Sequence, residues 1–383
     1  MLDVAVIGGG LCALALAHSL QARRLDWALF EARERLGGRV LTVASPRGLP
    51  VDLGPTWYWP ATQPSITRLV AELGLASIEQ PDDGQVLLLD DPNREPRLVA
   101  FDPHSAALAE DGTPPRPGAL HGGARRLAGG MGALVAAFER RLEAHRLHLG
   151  HALESVADLG THVELELRRG DELHRVQARR VVLALPPRVA ASTVYFEPAL
   201  DAQVRHALQD TPTWMAAAAK AALSTGRATW REAGHTGNAW STHSQAVLAE
   251  VFDASPEQPS AAGAALAGFV ALDADQRRHF ERGLPMLVES QVAMLFGPEA
   301  AQGEVQLHDW AREPWTCAPA DRAEDAGGGH PAYGDARLQA PQWGGRLWFA
   351  GSETARVGGG YLEGALVAAA RVRRQLDEAA RQP

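Results

Sequence analysis

The sequence predicts an α/β protein: a three-layer domain assembled from separated stretches of chain, with a smaller mixed α+β domain beside it. Three observations carry this. An apolar run, Val4-Ala5-Val6-Ile7, ends in Gly8-Gly9-Gly10, continues as an alanine-rich helical pattern to about residue 21, and is followed by a second apolar run at 27–30 closed by Glu31. That is a strand–turn–helix–strand unit of about thirty residues, the opening of a Rossmann-like dinucleotide-binding fold. At the far end, residues 347–350, a glycine-rich turn and a helical pattern over about 361–376 repeat strand–turn–helix. The length, 383 residues with 46% hydrophobic content, allows one large core or two closely packed domains.

Between the two ends, residues 67–73 have the spacing of an amphipathic helix closed by Gly74. Residues 80–120, rich in Asp, Pro and Gly, predict loops with short strands. A helix is expected over 131–145. Residues 162–167 alternate as a half-exposed strand does, and 181–185 form a buried strand stopped by Pro186-Pro187. From 200 to 317 the texture changes: five tryptophans lie among mixed strands and helices, with 280–296 as the clearest helix and 253–263 as an exposed loop. Residues 318–332, with Gly327-Gly328-Gly329, predict another loop. There are no internal repeats.

Composition excludes several classes of function. A formal net charge of -9 gives no electrostatic basis for nucleic-acid binding. No stretch of about twenty apolar residues exists to span a membrane. The first residues carry no basic region before their apolar run, so they predict a strand and not a signal peptide. Two cysteines, Cys12 and Cys317, cannot build a disulfide framework, which suits a reducing, cytoplasmic location. The fourteen histidines do not cluster at metal-ligand spacings, so no metal site is expected. Of 37 basic residues only Lys220 is lysine, leaving 36 arginines. A bias of that size fits genome composition, and a lysine that survives it marks a place where an always-charged, planar arginine fails.

The glycine triplet has a specific chemistry. Gly8 permits the tight turn, Gly10 lets a pyrophosphate approach the backbone, and Ala13, small in the third position, lets helix and strand pack closely. The helix N-terminus then faces the phosphates with its positive end. Glu31 can accept hydrogen bonds from ribose hydroxyls. Six residues after Glu31 comes Gly37-Gly38-Arg39-Val40, where the backbone turns closely at Gly38 and Arg39 can meet a pyrophosphate; Val51-Asp52-Leu53-Gly54-Pro55 follows.

From Val4 to Gly54 the chain resembles the flavin amine oxidase family, which includes monoamine, polyamine and L-amino-acid oxidases. Phe349-Ala350-Gly351-Ser352-Glu353-Thr354-Ala355, then Gly359-Gly360-Tyr361-Leu362-Glu363-Gly364, is similar to that family's C-terminal flavin motif. Between them Gly129-Gly130-Met131-Gly132, Leu153 and Ala184-Leu185-Pro186-Pro187 follow the family's order. The resemblance implies an FAD-binding domain from 1–78, 120–198 and 318–383 and a substrate domain from 79–119 and 199–317. It implies cofactor contacts from Arg33, Thr56, Trp315, Gly351, Ser352 and Glu353 as well as the residues above, an adenine contact through the Leu153 backbone, and a helix N-terminus near Leu362 that stabilises a reduced flavin.

It also places Lys220, in the apolar run 214–223, where relatives hold a water against the flavin N5; the competing reading is an outward-pointing lysine at a strand edge. Tyr361 matches the family's aromatic wall beside the substrate amine, although packing alone would also explain it. The second wall of monoamine oxidases comes from the loop before the last strand. Residues 317–331 hold no Phe, Tyr or Trp, so that wall is expected to be missing or supplied by Trp57, Trp59 or Trp315. The cysteine that tethers the flavin in those enzymes has no counterpart in register, Cys317 lying too early, so FAD is expected to be non-covalent. No arginine occurs in residues 54–60, where amino-acid oxidases place one for the substrate carboxylate. The expected activity is oxidation of a small amine to an imine by hydride transfer, with O2 as acceptor and H2O2 as product. The rivals are a flavin-dependent desaturase or isomerase of an apolar substrate, and a flavin-binding interaction protein with a defective site.

Overall fold

The computed structural model describes residues 1–81, 86–102, 107–109, 122–258, 260–323 and 330–381. Two eight-stranded sheets organise it.

The first sheet runs in the order Leu147–His148, Trp27–Phe30, Leu2–Ile7, Glu172–Leu183, Val163–Arg169, Ala152–Asp158, Tyr195–Glu197, with Leu347–Phe349 beside the end of Glu172–Leu183. Its centre is parallel: Leu2–Ile7 pairs with Trp27–Phe30 on one side and with Glu172–Leu183 on the other. The apolar runs that read as strands are these buried parallel ones, covered on both faces. Glu172–Leu183 extends well beyond the expected 181–185. Its first half alternates charged and half-buried residues in an antiparallel hairpin with Val163–Arg169, and only Val181-Val182-Leu183 enters the core. Pro187 does not merely stop the strand; it opens the helix Pro187–Thr193, as proline at a first helical turn does.

The helix Leu11–Ala22 is apolar nearly all round because it is enclosed on both sides: Leu14, Leu16 and Leu20 share one core with Ala368, Val372 and Leu376 of the C-terminal helix Leu362–Arg381. Glu363, buried in the first turn of that last helix, accepts hydrogen bonds from the Ser65 and Ile66 N–H groups at 3.0 and 2.9 Å, so it caps the helix Pro64–Leu73. The helix expected over 131–145 stops after Gly132–Glu139. Gln21 is the physical reason: its side chain takes the Arg141 carbonyl and the Glu143 N–H, groups a continuing helix would use itself.

The second sheet runs Gly303–Asp309, Ala219–Thr225, Ala264–Val270, Leu248–Asp253, Ala239–Ser241, Val86–Leu89, Arg97–Asp102, Ala107–Ala109. One face packs on the helix Leu284–Phe296 through Leu223, Val251, Leu266, Val288 and Val292. The helix expected over 280–296 is split from a preceding one, Ala274–His279, whose Asp273–Gln276 capping box starts it, and Gly283 and Pro285 begin the second. The other face carries Ala222, Phe252, Ala265 and Ala267 and meets Leu49, Val51 and Leu53.

Two further expectations are corrected. Residues 253–255 are not an exposed loop: Asp253 is fully buried, its Oδ2 accepting from Trp230 Nε1 at 2.8 Å and Arg231 Nε at 2.6 Å. In the expected 318–332 loop, Pro319–Ala323 is helical, with buried Asp321 2.9 Å from Arg188 Nη1; residues 324–329 lie outside the described residues.

Candidate active site

One cavity of about 560 Å³ lies between the two sheets and reaches from the glycine triplet to the second sheet. Every cofactor or catalytic candidate named above lines it except Ala13. Ala13 is fully buried in the core between helix and sheet, which is the packing task expected of it.

At the cofactor end, Gly8 has φ +102°, and a Cβ there would stand 2.7 Å from the Ala184 carbonyl oxygen, so only glycine closes this turn. A Cβ on Gly10 would meet nothing nearer than 4.0 Å; the space in front of it belongs to the cavity. The helix Leu11–Ala22 begins at Gly10 with no side-chain cap, which leaves its first N–H groups facing that space. Glu31 Oε2 accepts from Gly9 N–H at 2.6 Å and Oε1 from Arg33 N–H at 2.8 Å. Its remaining lone pairs are available to hydroxyl donors. Arg33 ties the 313–316 turn into the wall through Glu313 (2.9 Å) and the Thr316 hydroxyl (2.8 Å), which brings Trp315 and Thr316 to the cavity. Arg39 joins the two ends of the chain: it donates to Ser352 Oγ at 2.9 Å and lies 2.6 Å from buried Glu353. Uncapped helix N–H groups, a glycine turn and a carboxylate at the end of the second strand together fit a dinucleotide, so the residues present suit FAD.

Neither thiol suits a covalent tether. Cys12 lines the cavity, but burial pushes its thiol up to about 11, and its Sγ accepts from Gly351 N–H. Cys317 is buried off the cavity wall, and burial raises its thiol as well. Both stay protonated and unreactive at neutral pH. Acid precipitation is expected to leave flavin absorbance in the supernatant and a colourless pellet; a yellow pellet would overturn non-covalent binding.

At the other end, Lys220 sits on Ala219–Thr225, buried, pointing into the cavity and not outward from an edge. Residues 214–217 before it form turns, with Met215 at φ +57°. The ammonium donates to the Gly54 carbonyl at 2.9 Å and to the Thr56 hydroxyl, and lies 5.1, 5.4 and 5.8 Å from the Phe252, Phe269 and Trp57 ring centroids. Burial pushes Lys220 down to about 8, against the opposing fields of Asp52 and Glu250.

Two residues here were missed in the sequence. Glu250 lines the cavity in the same cross-strand row as Lys220, two strands over: Trp240, Glu250, Phe269, Lys220 and His308 are successive partners. A β-bulge at Ala249 puts it there. With regular alternation Glu250 would share the face of Leu248, which packs toward the helix Leu284–Phe296; the extra residue turns Glu250 to the cavity. Burial pushes its carboxyl up to about 7, and the carboxyl has no hydrogen-bond or ion-pair partner among the described residues. Nothing in the period-2 pattern announces a bulge. The second residue is His330, whose ring stacks on Tyr361 at 5.0 Å with 2° between planes and also meets Trp214 at 4.7 Å. That ring lies flat against Tyr361 and not on the cavity wall, so it does not supply the second wall. Trp57, Trp59 and Trp315 also line the cavity. Among the described residues, the arginines on its wall are Arg33 and Arg39, both at the cofactor end. No group of three or more His, Cys, Asp or Glu that could hold a metal occurs among the described residues, and no helix there is long and apolar enough to cross a membrane.

Comparison with known proteins agrees with this geometry. The model for flavin containing amine oxidoreductases matches residues 117–376, and that for an NAD(P)-binding Rossmann-like domain matches residues 6–73. Flavin-containing amine oxidase A of Equus caballus is 24% identical over 470 aligned positions, covering 98% of this chain and 85% of the relative. Wild-type putrescine oxidase bound to putrescine has a similar structure, with a TM-score of 0.75 and 21% identity over 99% of both chains. Cyclohexylamine oxidase from Brevibacterium oxydans IH-35A gives a TM-score of 0.73 at 18% identity, over 99% of this chain and all of that one. Matched over most of its length by one family, with a cavity whose glycine turn and helix end fit FAD, this chain belongs to the flavin-containing amine oxidoreductases, flavoenzymes that act on amines.

Proposed function

We propose that the chain is an FAD-dependent oxidase of small amines that carry a second cationic group. FAD, when bound, supplies the acceptor for the hydride leaving the amine's α-carbon, and dioxygen takes the electrons on to give H2O2 and an imine that water hydrolyses. The rest is the task of this chain's residues. Gly8, Gly10, Glu31, Arg33, Gly38, Arg39, Leu153, Trp315, Gly351, Ser352, Glu353 and Leu362 hold the cofactor. Gly54 and Thr56 fix the Lys220 ammonium at the reacting end. Tyr361 offers a flat face to the substrate amine. On this reading residues 1–78, 120–198 and 318–383 form the FAD domain, and 79–119 and 199–317 the substrate domain.

The observation that carries the substrate class is Glu250. An unpartnered carboxylate facing an apolar cavity is costly unless a ligand's cation neutralises it. In the row Lys220–Phe269–Glu250, two inter-strand steps separate Lys220 from Glu250 by roughly 10 Å. A short α,ω-diamine fits such a site: one end neutral and oxidised, the other an ammonium on Glu250. The putrescine complex of a neighbouring fold supports this reading. Among the described residues no arginine lies at this end of the cavity to take a substrate carboxylate. Relatives that are amine oxidases weigh against the desaturase and interaction-protein readings.

Anaerobic titration with matched mono- and diamines tests this. A diamine is expected to bleach the flavin at the lowest concentration; a flavin that no amine bleaches would end the proposal. Glu250→Gln is expected to raise the diamine KM on the order of 10- to 100-fold, the worth of a charge-assisted hydrogen bond, and to leave monoamine KM nearly unchanged. Because Glu250 ionises only above about 7, the wild-type diamine KM should fall as pH rises through 7, and that dependence should vanish in the variant.

A further inference from the structure

Behind Lys220 lies a second, much smaller cavity, of about 20 Å³. Room of that size holds one water. Thr56 and Phe252 separate it from the main cavity, and both touch the lysine: Thr56 accepts its hydrogen bond, and Phe252 covers it with a ring. Thr56 lines both cavities. The far wall carries two buried charges, Asp52 and Arg126.

Neither charge is fully engaged by the fold. Asp52 Oδ1 accepts from Met131 N–H at 2.9 Å and from the Thr42 hydroxyl, which leaves Oδ2 without a hydrogen-bond partner. Arg126 Nη2 donates to the Ser255 carbonyl at 2.8 Å, while its Nε–H is buried with no partner. Unsatisfied buried donors and acceptors facing one polar, water-sized space are the setting in which an ordered water is held.

We propose that Asp52 and Arg126, joined by one water in this cavity and reaching Lys220 through the Thr56 hydroxyl, act as positioning residues that set whether Lys220 is an ammonium or an amine. The proposal rests on the reading of Lys220 as a reacting-end residue, but concerns what controls it. The two groups pull in opposite directions. Asp52 favours the ammonium and Arg126 opposes it, and burial from the aromatic rings favours the amine. The other charged group facing the lysine is Glu250, across the main cavity, which also favours the ammonium; His308 is its register partner on the adjacent strand. Arg126 is itself faced by Asp253, which Arg231 already occupies. The proton movement balances within the site. Nζ–H breaks as Thr56 Oγ gains that proton, the hydroxyl's own proton passes to the water, and the water passes one to Asp52 Oδ2. An ammonium and a carboxylate become an amine and a carboxylic acid.

The chain offers a direct test, since Lys220 is its sole lysine. Holoenzyme labelled with lysine carrying 13C at Cε gives one lysine Cε resonance, whose pH titration reports the charge of Lys220 without substrate. The wild-type midpoint is expected near 8. Asp52→Asn, which keeps the Oδ1 acceptor, should lower the midpoint by roughly one pH unit, and Arg126→Met should raise it by a similar amount, a tenfold change in the ammonium-to-amine ratio in each direction. The double variant should return toward the wild-type value. If one single variant does not fold, the other and the double variant still decide the sign. Unmoved midpoints, or two shifts of the same sign, would overturn the proposal. The pH inflection of flavin reduction by an amine should move in step; if the resonance moves and the inflection does not, the control of the charge stands, and it is the role of Lys220 in the reaction that fails.

Discussion

Lys220→Met is expected to slow flavin reduction or reoxidation by on the order of 100-fold or more, the scale of losing one pre-positioned charge in a water-poor site, while the protein stays folded and yellow. Stopped-flow measurement of both half-reactions checks this, and two unchanged rate constants would remove the residue from the mechanism. Methionine suits the position sterically: it is unbranched, and its thioether is at ease among the Phe252, Phe269 and Trp57 rings. Stability gives an independent readout. The folded state lowers Lys220 from 10.5 to about 8. Between those values the unfolded chain holds a proton that the folded chain has released, so wild-type stability rises with pH over that window, by about 3 kcal/mol at most. Below 8 the full burial penalty is present. Lys220→Met should lack that rise and, at neutral pH, should be no less stable than wild type.

Gly54→Val is expected to be the most damaging single change to the site as a whole, giving a protein that retains little or no FAD. A Cβ on Gly54 would lie 2.1 Å from the Arg39 carbonyl oxygen and 3.0 Å from the Leu41 nitrogen, contacts that backbone cannot evade. Relief requires moving either the 52–56 loop or the 38–41 segment. The first carries both acceptors of Lys220, the Gly54 carbonyl and the Thr56 hydroxyl. The second carries Arg39 and its link to Ser352 and Glu353. The ratio of flavin to protein absorbance in the purified variant measures the loss, and a normal ratio would show that the two segments are not locked together.

Much of the first sheet and its cofactor end was legible in the sequence because the signals there are local. A glycine turn, a buried helix and an acidic residue ending the next strand lie within thirty-one residues, and each fixes a backbone requirement that few other residues meet. Lys220 stood out for a different reason, as one lysine in an apolar run. What stayed hidden depends on contacts distant in sequence. The helix after Met131 ends early because Gln21, on another helix, takes its carbonyl and N–H groups. Asp253 looked like loop because nothing nearby shows that Trp230 and Arg231 enclose it. Glu250 was passed over since alternation predicts the wrong face, and a bulge is decided by pairing across strands. His330 meets Tyr361 across thirty-one positions of chain, a contact that no local pattern announces.

The burial of the lone lysine has a consequence for the enzyme's durability. Hydrolysis of an imine releases an aldehyde or ketone, and aldehydes condense with free amines on protein surfaces. On the proposed reaction that product would meet an exterior that carries arginines and no lysine side chain, the single one being enclosed within the candidate active site. On that reading, prolonged turnover followed by borohydride trapping and peptide mapping is expected to show no lysine adduct outside Lys220, whereas a variant with several surface arginines changed to lysine should accumulate adducts and lose activity sooner.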